Sequence, residues 1–142
     1  MIREARSAGI LSHPGIVTIY DIQQTEHSTC IVMEFVEGET LYDRMTREDI
    51  EPASVLEMLE QTAVALDYAH SKGVLHRDIK PENVIVRPDG LVKVLDFGLA
   101  KLMGGGPLQG GAAASTPGVV MGTPSYMSPE QARGLKVDAR TD

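Results

Sequence analysis

The stretch Val74–Ala100 reads VLHRDIKPENVIVRPDGLVKVLDFGLA. Two short apolar runs, Val84–Arg87 and Leu91–Leu95, flank Pro88-Asp89-Gly90. Proline at the first turn position, aspartate next and glycine where the backbone goes left-handed predict a β-hairpin with a three-residue loop. With Arg87 facing Leu91, the register runs back to set Asn83 opposite Leu95, one residue short of Asp96. Facing residues of an antiparallel pair lie about 4.5–5.5 Å apart at Cα. The hairpin therefore brings an amide oxygen and a carboxylate to one rim. Hard oxygens gathered at one point suit Mg²⁺, which takes a few protein oxygens and otherwise keeps water or phosphate.

Just upstream runs His76-Arg77-Asp78-Ile79-Lys80-Pro81-Glu82. Pro81 is expected to forbid a helix and to push Lys80 toward extended backbone. Asp78, Lys80 and Asn83 are then displayed from a loop. A carboxylate that can take a hydroxyl proton, an ammonium and two metal ligands make up most of a phosphoryl-transfer site. The plain alternative is a surface hairpin with ordinary charged flanks. Against it stands H-R-D-x-K-x-x-x-N followed by D-F-G, which has the spacing of the protein-kinase signature set.

On these residues the chain resembles protein kinases of the serine/threonine class, in the style of the bacterial members. The likeness covers nearly all 142 residues, although the family's domain is considerably longer. It implies an α+β, two-lobed, kinase-like fold, here a partial catalytic domain from the family's C-helix to the start of its F-helix. Residues 1–36 would be a remnant of the N-lobe and hinge. Residues 37–142 would be the first half of the C-lobe, with catalytic loop and activation segment.

Composition sets the outer bounds. At 42% hydrophobic and 23% charged residues the chain is of globular type. A formal charge of −7 and the lack of a Lys/Arg cluster argue against a nucleic-acid partner. The single cysteine, Cys30, excludes an intrachain disulfide and fits a reducing compartment. No apolar run approaches the ~18 residues of a membrane helix, and no signal-peptide pattern opens the chain. A cytoplasmic location is the default expectation, with any membrane anchor of a parent protein lying outside these residues.

Toward the N-terminus, Ile2–Leu11 reads as a short helix ended by Ser12-His13-Pro14-Gly15. Residues 16–22 and 29–36 read as strands about a polar turn at 23–28. Cys30 is expected to be a small buried or half-buried hydrophobe. His13 and His27 have no metal-ligand spacing. By resemblance, Glu4 is the C-helix glutamate, which in the family pairs with a third-strand lysine that no residue here supplies. Met33-Glu34-Phe35-Val36 falls at the gatekeeper and hinge, so Met33, Glu34 and Val36 are expected against adenine.

After a loop at Glu37-Gly38-Glu39, residues 40–45 read as a short helix and residues 52–72 as a long one. Pro52 suits its first turn, Gly73 its C-terminal cap and Lys72 the negative end of its dipole. Leu56, Leu59, Ala63, Leu66 and Ala69 form one apolar stripe, expected to bury against helices of a larger lobe. His70 reads as a satisfied histidine at the helix end.

The resemblance then assigns roles. Asp78 orients the substrate hydroxyl and accepts its proton, and Lys80 stabilises charge on the transferring phosphoryl group. Asn83 and Asp96 hold the metal ions that bridge the ATP phosphates. Phe97 packs below the site, Gly98 frees the backbone to flip Asp96, and His76 is a packing and hydrogen-bonding residue. Arg77 marks kinases controlled by activation-loop phosphorylation, its plain alternative being an internal ion pair. The glycine-rich run 102–122 is a passive linker or, between D-F-G and Ser128-Pro129-Glu130, the activation segment. Ser115 and Thr116 are its candidate phosphorylation sites, and Thr123 resembles the threonine that bonds the catalytic aspartate and lysine. Asp142 stands where a family aspartate ties down the catalytic loop.

The implied reaction is transfer of the ATP γ-phosphate to serine or threonine hydroxyls of proteins, with ATP and Mg²⁺ (Mn²⁺ as an alternative) as cofactors. The rivals are a pseudokinase acting as a binding module and a truncated piece without activity. No phosphate-cradling G-x-G-x-x-G or G-x-x-x-x-G-K-[ST] occurs in these residues. Without the family's first strands the sheet keeps an open edge, and the long helix's stripe lacks the helices it should pack against, so the 142 residues alone are expected to fold poorly. Without the glycine-rich loop and third-strand lysine they are expected to leave a generic substrate unphosphorylated.

Overall fold

A computed structural model describes residues 11–25, 28–97 and 124–142 of the protein. The predicted first helix, but for Leu11, and the whole of residues 98–123 lie outside them. Strands β1 (Ile19–Gln24) and β2 (Thr29–Met33) pair antiparallel, from Ile19 opposite Met33 to Gln24 opposite Thr29. The first starts later than expected because Ile16 leaves this ribbon. The Val17 N–H donates to the Val94 carbonyl (3.0 Å) and the Val94 N–H to the Gly15 carbonyl (2.8 Å), so Ile16 pairs in parallel with Val94.

Cys30 is exposed, contrary to the expectation of burial. A two-stranded ribbon covers one face. Ile22 and Ile31 share the half-covered side, which puts Cys30 and its partner Gln23 on the wet one.

Strand β3 (Glu39–Thr40) follows the Gly38 bend, and helix α1 (Leu41–Arg47) begins directly after it. Thr40 caps that helix, its Oγ1 accepting the Asp43 N–H at 3.1 Å. Gly38 is required: a Cβ there would lie 2.5 Å from the Val86 carbonyl oxygen. Helix α2 (Pro52–Ser71) ends as its sequence dictates, with Lys72 as cap and Gly73 at φ +74. The Gly73 N–H donates to the His70 carbonyl and the Val74 N–H to the Ala69 carbonyl, the paired bonds of a Schellman turn.

The buried face of α2 is not the expected stripe. Of that stripe Ala69 is buried and Leu66 half-buried, while Leu56 is 67% exposed, Leu59 55% and Ala63 exposed; Met58, Thr62 and Ala65 are buried beside Ala69. Small side chains at 65 and 69 let Ile16, Val94 and Phe97 press against the helix, and Thr62 hides its hydroxyl on the Met58 carbonyl (2.8 Å). Gln61 docks the hairpin from the same helix, accepting the Val92 N–H (2.9 Å) and donating to the Gly90 carbonyl (3.1 Å).

The hairpin itself has the expected register. Strands β4 (Val84–Val86) and β5 (Val92–Val94) pair Val84 with Val94 and Val86 with Val92, and β3 adds to the outer edge of β4. Bonds beyond the strands extend the ladder: Arg87 N–H to Leu91 O and Leu95 N–H to Asn83 O, each 2.9 Å. Gly90 takes φ +81 in the loop. Pro81 does not forbid helical structure. It opens a 3₁₀ turn over Pro81–Asn83, where its missing N–H costs nothing, while Lys80 is extended (φ −161°, ψ 161°).

Helix α3 (Pro129–Ala132) carries a full capping box between Ser128 and Gln131. Two apolar clusters hold the structure: Leu11, Ile16, Ala65, Ala69, Val94 and Phe97 in one, and Met58, Val84, Val86 and Val92 in the other.

Candidate active site

The Schellman turn delivers the chain from α2 into Val74–Asp78. Asp142, whose side chain is fully hidden from solvent, fixes this loop by its backbone. Its Oδ2 accepts the His76 N–H (2.7 Å) and its Oδ1 the Arg77 N–H (2.6 Å), while His70 Nε2 lies 2.8 Å from Oδ2. The His76 ring is buried edge-on against Phe97, with ring centroids 4.8 Å apart. Its Nδ1 accepts the Asp78 N–H (3.2 Å) and its Nε2 faces the Leu95 carbonyl (2.6 Å), which dictates a neutral ring protonated at Nε2. Burial pushes its pKa below the usual value, against the pull of the Leu95 carbonyl and of Asp142, Asp78 and Asp96.

Asp78, Lys80 and Asn83 converge. Lys80 Nζ sits 2.9 Å from Asp78 Oδ2, and Asn83 Nδ2 donates to the same oxygen at 3.1 Å and to the Asp78 carbonyl at 2.8 Å. One carboxylate oxygen is thus doubly held, leaving Oδ1 for a hydroxyl. Asn83 spends both amide hydrogens on Asp78, and its Oδ1 makes no hydrogen bond among the described residues.

Two non-glycine residues take left-handed backbone here, Arg77 (φ +71) and Asp96 (φ +63). Each such conformation costs about 1–2 kcal/mol, so tertiary contacts must impose it. Burial raises the Asp96 carboxyl above its usual range and Asp78 adds to the rise, while His76 and Lys80 oppose it. Asp78 opposes ionisation of Asp96 and Lys80 favours it. Beside the uncommitted Asn83 amide oxygen, these residue types fit a divalent cation that Asn83 and Asp96 would hold. Among the described residues no three His, Cys, Asp or Glu side chains form a metal site by themselves.

Met33 ends β2 half-buried, Val36 is half-buried, and Phe35 between them is 91% exposed. Glu34 is committed to the protein. Its N–H donates to the Thr18 carbonyl (2.8 Å), its Oε2 accepts the Thr18 N–H (3.2 Å), and Lys93 Nζ pairs with both carboxylate oxygens (2.7 and 2.9 Å). The Lys93 bond, above all, holds the Glu34 carboxyl below its usual range. Arg77 makes no ion pair among the described residues. Glu4, Gly98, Ser115, Thr116 and Thr123 lie outside them.

Sequence reasoning missed Lys93, three residues before Asp96, and Gln131, whose Nε2 donates to the Arg77 carbonyl at 2.6 Å. The alternating V-K-V of β5 marks Lys93 as facing away from the core, but nothing local announces its partner.

Residues 1–142 match the protein kinase domain family. Serine/threonine-protein kinase pkn2 of Myxococcus xanthus is 45% identical over 143 residues, covering 99% of this chain and 17% of that protein. Serine/threonine-protein kinase PknB of Mycolicibacterium smegmatis is 41% identical over 145 residues, covering 99% of this chain and 23% of that protein. The crystal structure of the Mycobacterium tuberculosis PknI kinase domain superposes with a TM-score of 0.74 at 30% identity, covering 99% of this chain and 50% of that one. The chain therefore spans about a fifth of these curated relatives and half of the solved kinase domain. It belongs to the protein kinase family, and its mixed helices and sheets are part of that family's fold.

Proposed function

We propose that this chain carries the catalytic loop and metal-holding hairpin of a protein serine/threonine kinase, which transfers the ATP γ-phosphate to serine or threonine hydroxyls of a protein substrate. The observation that carries this reading is the convergence of Lys80 and Asn83 on one oxygen of Asp78. Asp78 Oδ1 accepts the proton of the substrate hydroxyl as the hydroxyl oxygen attacks the γ-phosphorus, the bond from that phosphorus to the bridging oxygen breaks and ADP leaves, and Lys80 offsets charge on the transferring group. Asn83 and Asp96 would hold Mg²⁺, or Mn²⁺ in its place, which supplies charge neutralisation on the phosphate oxygens. Met33, Glu34 and Val36 form the hinge at the boundary between residues 1–36 and residues 37–142. Since the Glu34 N–H and side chain are already bonded, that residue offers adenine its carbonyl alone. Glu4 would pair with a third-strand lysine, which these residues do not include, to hold the nucleotide phosphates.

Arg77 would receive a phosphate placed on Ser115 or Thr116, and Thr123 would bond Asp78 and Lys80. Use of ATP suits a cytoplasmic setting, and among the described residues no helix is long and apolar enough to cross a membrane. The test is transfer of radiolabel from γ-labelled ATP to a protein substrate by these residues joined to a glycine-rich loop and third-strand lysine, followed by phosphoamino-acid analysis. Phosphoserine or phosphothreonine, lost in Asp78→Asn, is the expected result. Phosphotyrosine, or transfer that survives Asp78→Asn, overturns the assignment.

A further inference from the structure

The peptide linking Arg77 to Asp78 is gripped at both edges. Its N–H, that of Asp78, donates to His76 Nδ1, and its carbonyl accepts Gln131 Nε2 at 2.6 Å. On the preceding peptide Asp142 holds the Arg77 N–H. The left-handed twist at Arg77 is therefore bracketed by two side chains from the C-terminal stretch, one on each side of the residue.

Gln131 divides its amide between two tasks. Its Oε1 accepts the Ser128 N–H at 3.1 Å and completes the cap of α3, which leaves Nε2 for the Arg77 carbonyl. A residue needed only as a cap would require the oxygen alone. The second contact crosses 54 positions of sequence and ends on the peptide immediately before the proton-accepting carboxylate.

We propose that Gln131 is a positioning residue for Asp78: its Nε2 sets the plane of the Arg77–Asp78 peptide, and so the aim of the Asp78 side chain, while its Oε1 ties that setting to the docking of α3. The proposal rests on the kinase reading only for its effect on turnover. If α3 undocks, the peptide loses its carbonyl partner and Asp78 loses its aim, without any change in the side chains that meet substrate.

Two variants of the full chain separate the tasks. Gln131→Glu keeps an oxygen for the Ser128 N–H and loses the donor; Gln131→Met keeps the length and loses both. Amide hydrogen exchange read by NMR is expected to accelerate at least tenfold at Asp78 in both variants, and at Ser128 in Gln131→Met alone. In phosphate transfer kcat is expected to fall at least tenfold in both, with KM for ATP within twofold of the parent's. Acceleration at Asp78 in Gln131→Met but not in Gln131→Glu would show a cap and nothing more, and overturns the proposal. So does loosened exchange with unchanged kcat. A parent that transfers no phosphate even when joined to a glycine-rich loop and third-strand lysine overturns the kinase reading instead, and the exchange at Asp78 then decides the positioning by itself.

Discussion

Replacing Asp142 by asparagine changes one oxygen to an amino group and leaves the volume of the site intact. In the native arrangement that carboxylate accepts two backbone N–H groups, at 2.6 and 2.7 Å, with no exposure to solvent. Asparagine has a single acceptor. Its better orientation places the oxygen on the Arg77 N–H and the amino group toward His70, so the orphaned donor is the His76 N–H. Hydrogen bonds to a charged group are worth about 1.5–3 kcal/mol and an unsatisfied buried donor about 1–3 kcal/mol, so the combined cost is about 2.5–6 kcal/mol. At about 2–4 °C per kcal/mol for a chain of this size, thermal unfolding followed by circular dichroism should shift down by roughly 5–24 °C. Amide exchange should accelerate at His76 more than at Arg77, and little within β4 and β5. A shift below about 2 °C with unaltered exchange at both residues would refute the claim that this carboxylate holds the loop.

Gly38→Ala drives a methyl group against the Val86 carbonyl, 2.5 Å away, and should separate β3 from the hairpin at a cost of about 1–3 kcal/mol, read as a lower urea midpoint. Lys93→Met strands the Glu34 carboxylate in a half-covered site and should cost about 1–3 kcal/mol; adding Glu34→Gln should recover part of it, and strict additivity in the double-mutant cycle would show the two do not interact. Folding stability should fall as pH drops below about 6.5, because the unfolded chain protonates His76 before the buried ring does. A further loss follows below about 4.3 as Glu34 is protonated, and denaturant midpoints unchanged between pH 7 and 5 would contradict the neutral ring. Asp96 acts in the opposite sense, its contribution being present at low pH and lost as pH rises through its elevated pKa. Asp96→Asn should therefore reduce phosphate transfer at least a hundredfold (about 2.7 kcal/mol) without lowering the melting temperature.

What could be read without coordinates was what local chemistry determines. Pro88-Asp89-Gly90 specifies its own turn, the turn specifies the register, and the register carries Asn83 to the rim opposite Leu95. Pro52, Lys72 and Gly73 mark the ends of α2 for the same reason. Which side of α2 is buried is a different kind of question. Leu56, Leu59 and Ala63 recur at helical spacing, and so do Met58, Thr62, Ala65 and Ala69. Periodicity cannot choose between two rows when the winning one is made of small residues whose value is close approach. Cys30 turns outward because its ribbon is only two strands wide among the described residues, a property of the assembly and not of the strand. The Glu34–Lys93 and Gln131–Arg77 contacts join residues 59 and 54 positions apart, one of them through a backbone carbonyl, and no motif encodes such a partner.

The Val17–Val94 and Gly15–Val94 backbone bonds and the Lys93–Glu34 pair fasten neighbouring residues of β5 to the two strand roots at one end of the N-terminal ribbon. A lever pinned at its two roots can tilt but cannot slide. Any opening or closing between β1–β2 and the β4–β5 hairpin must therefore use Thr18 and Glu34 as a fulcrum. Breathing of that kind would change the reach of the ribbon's far end while leaving the spacing between the hinge and Asp96 nearly constant.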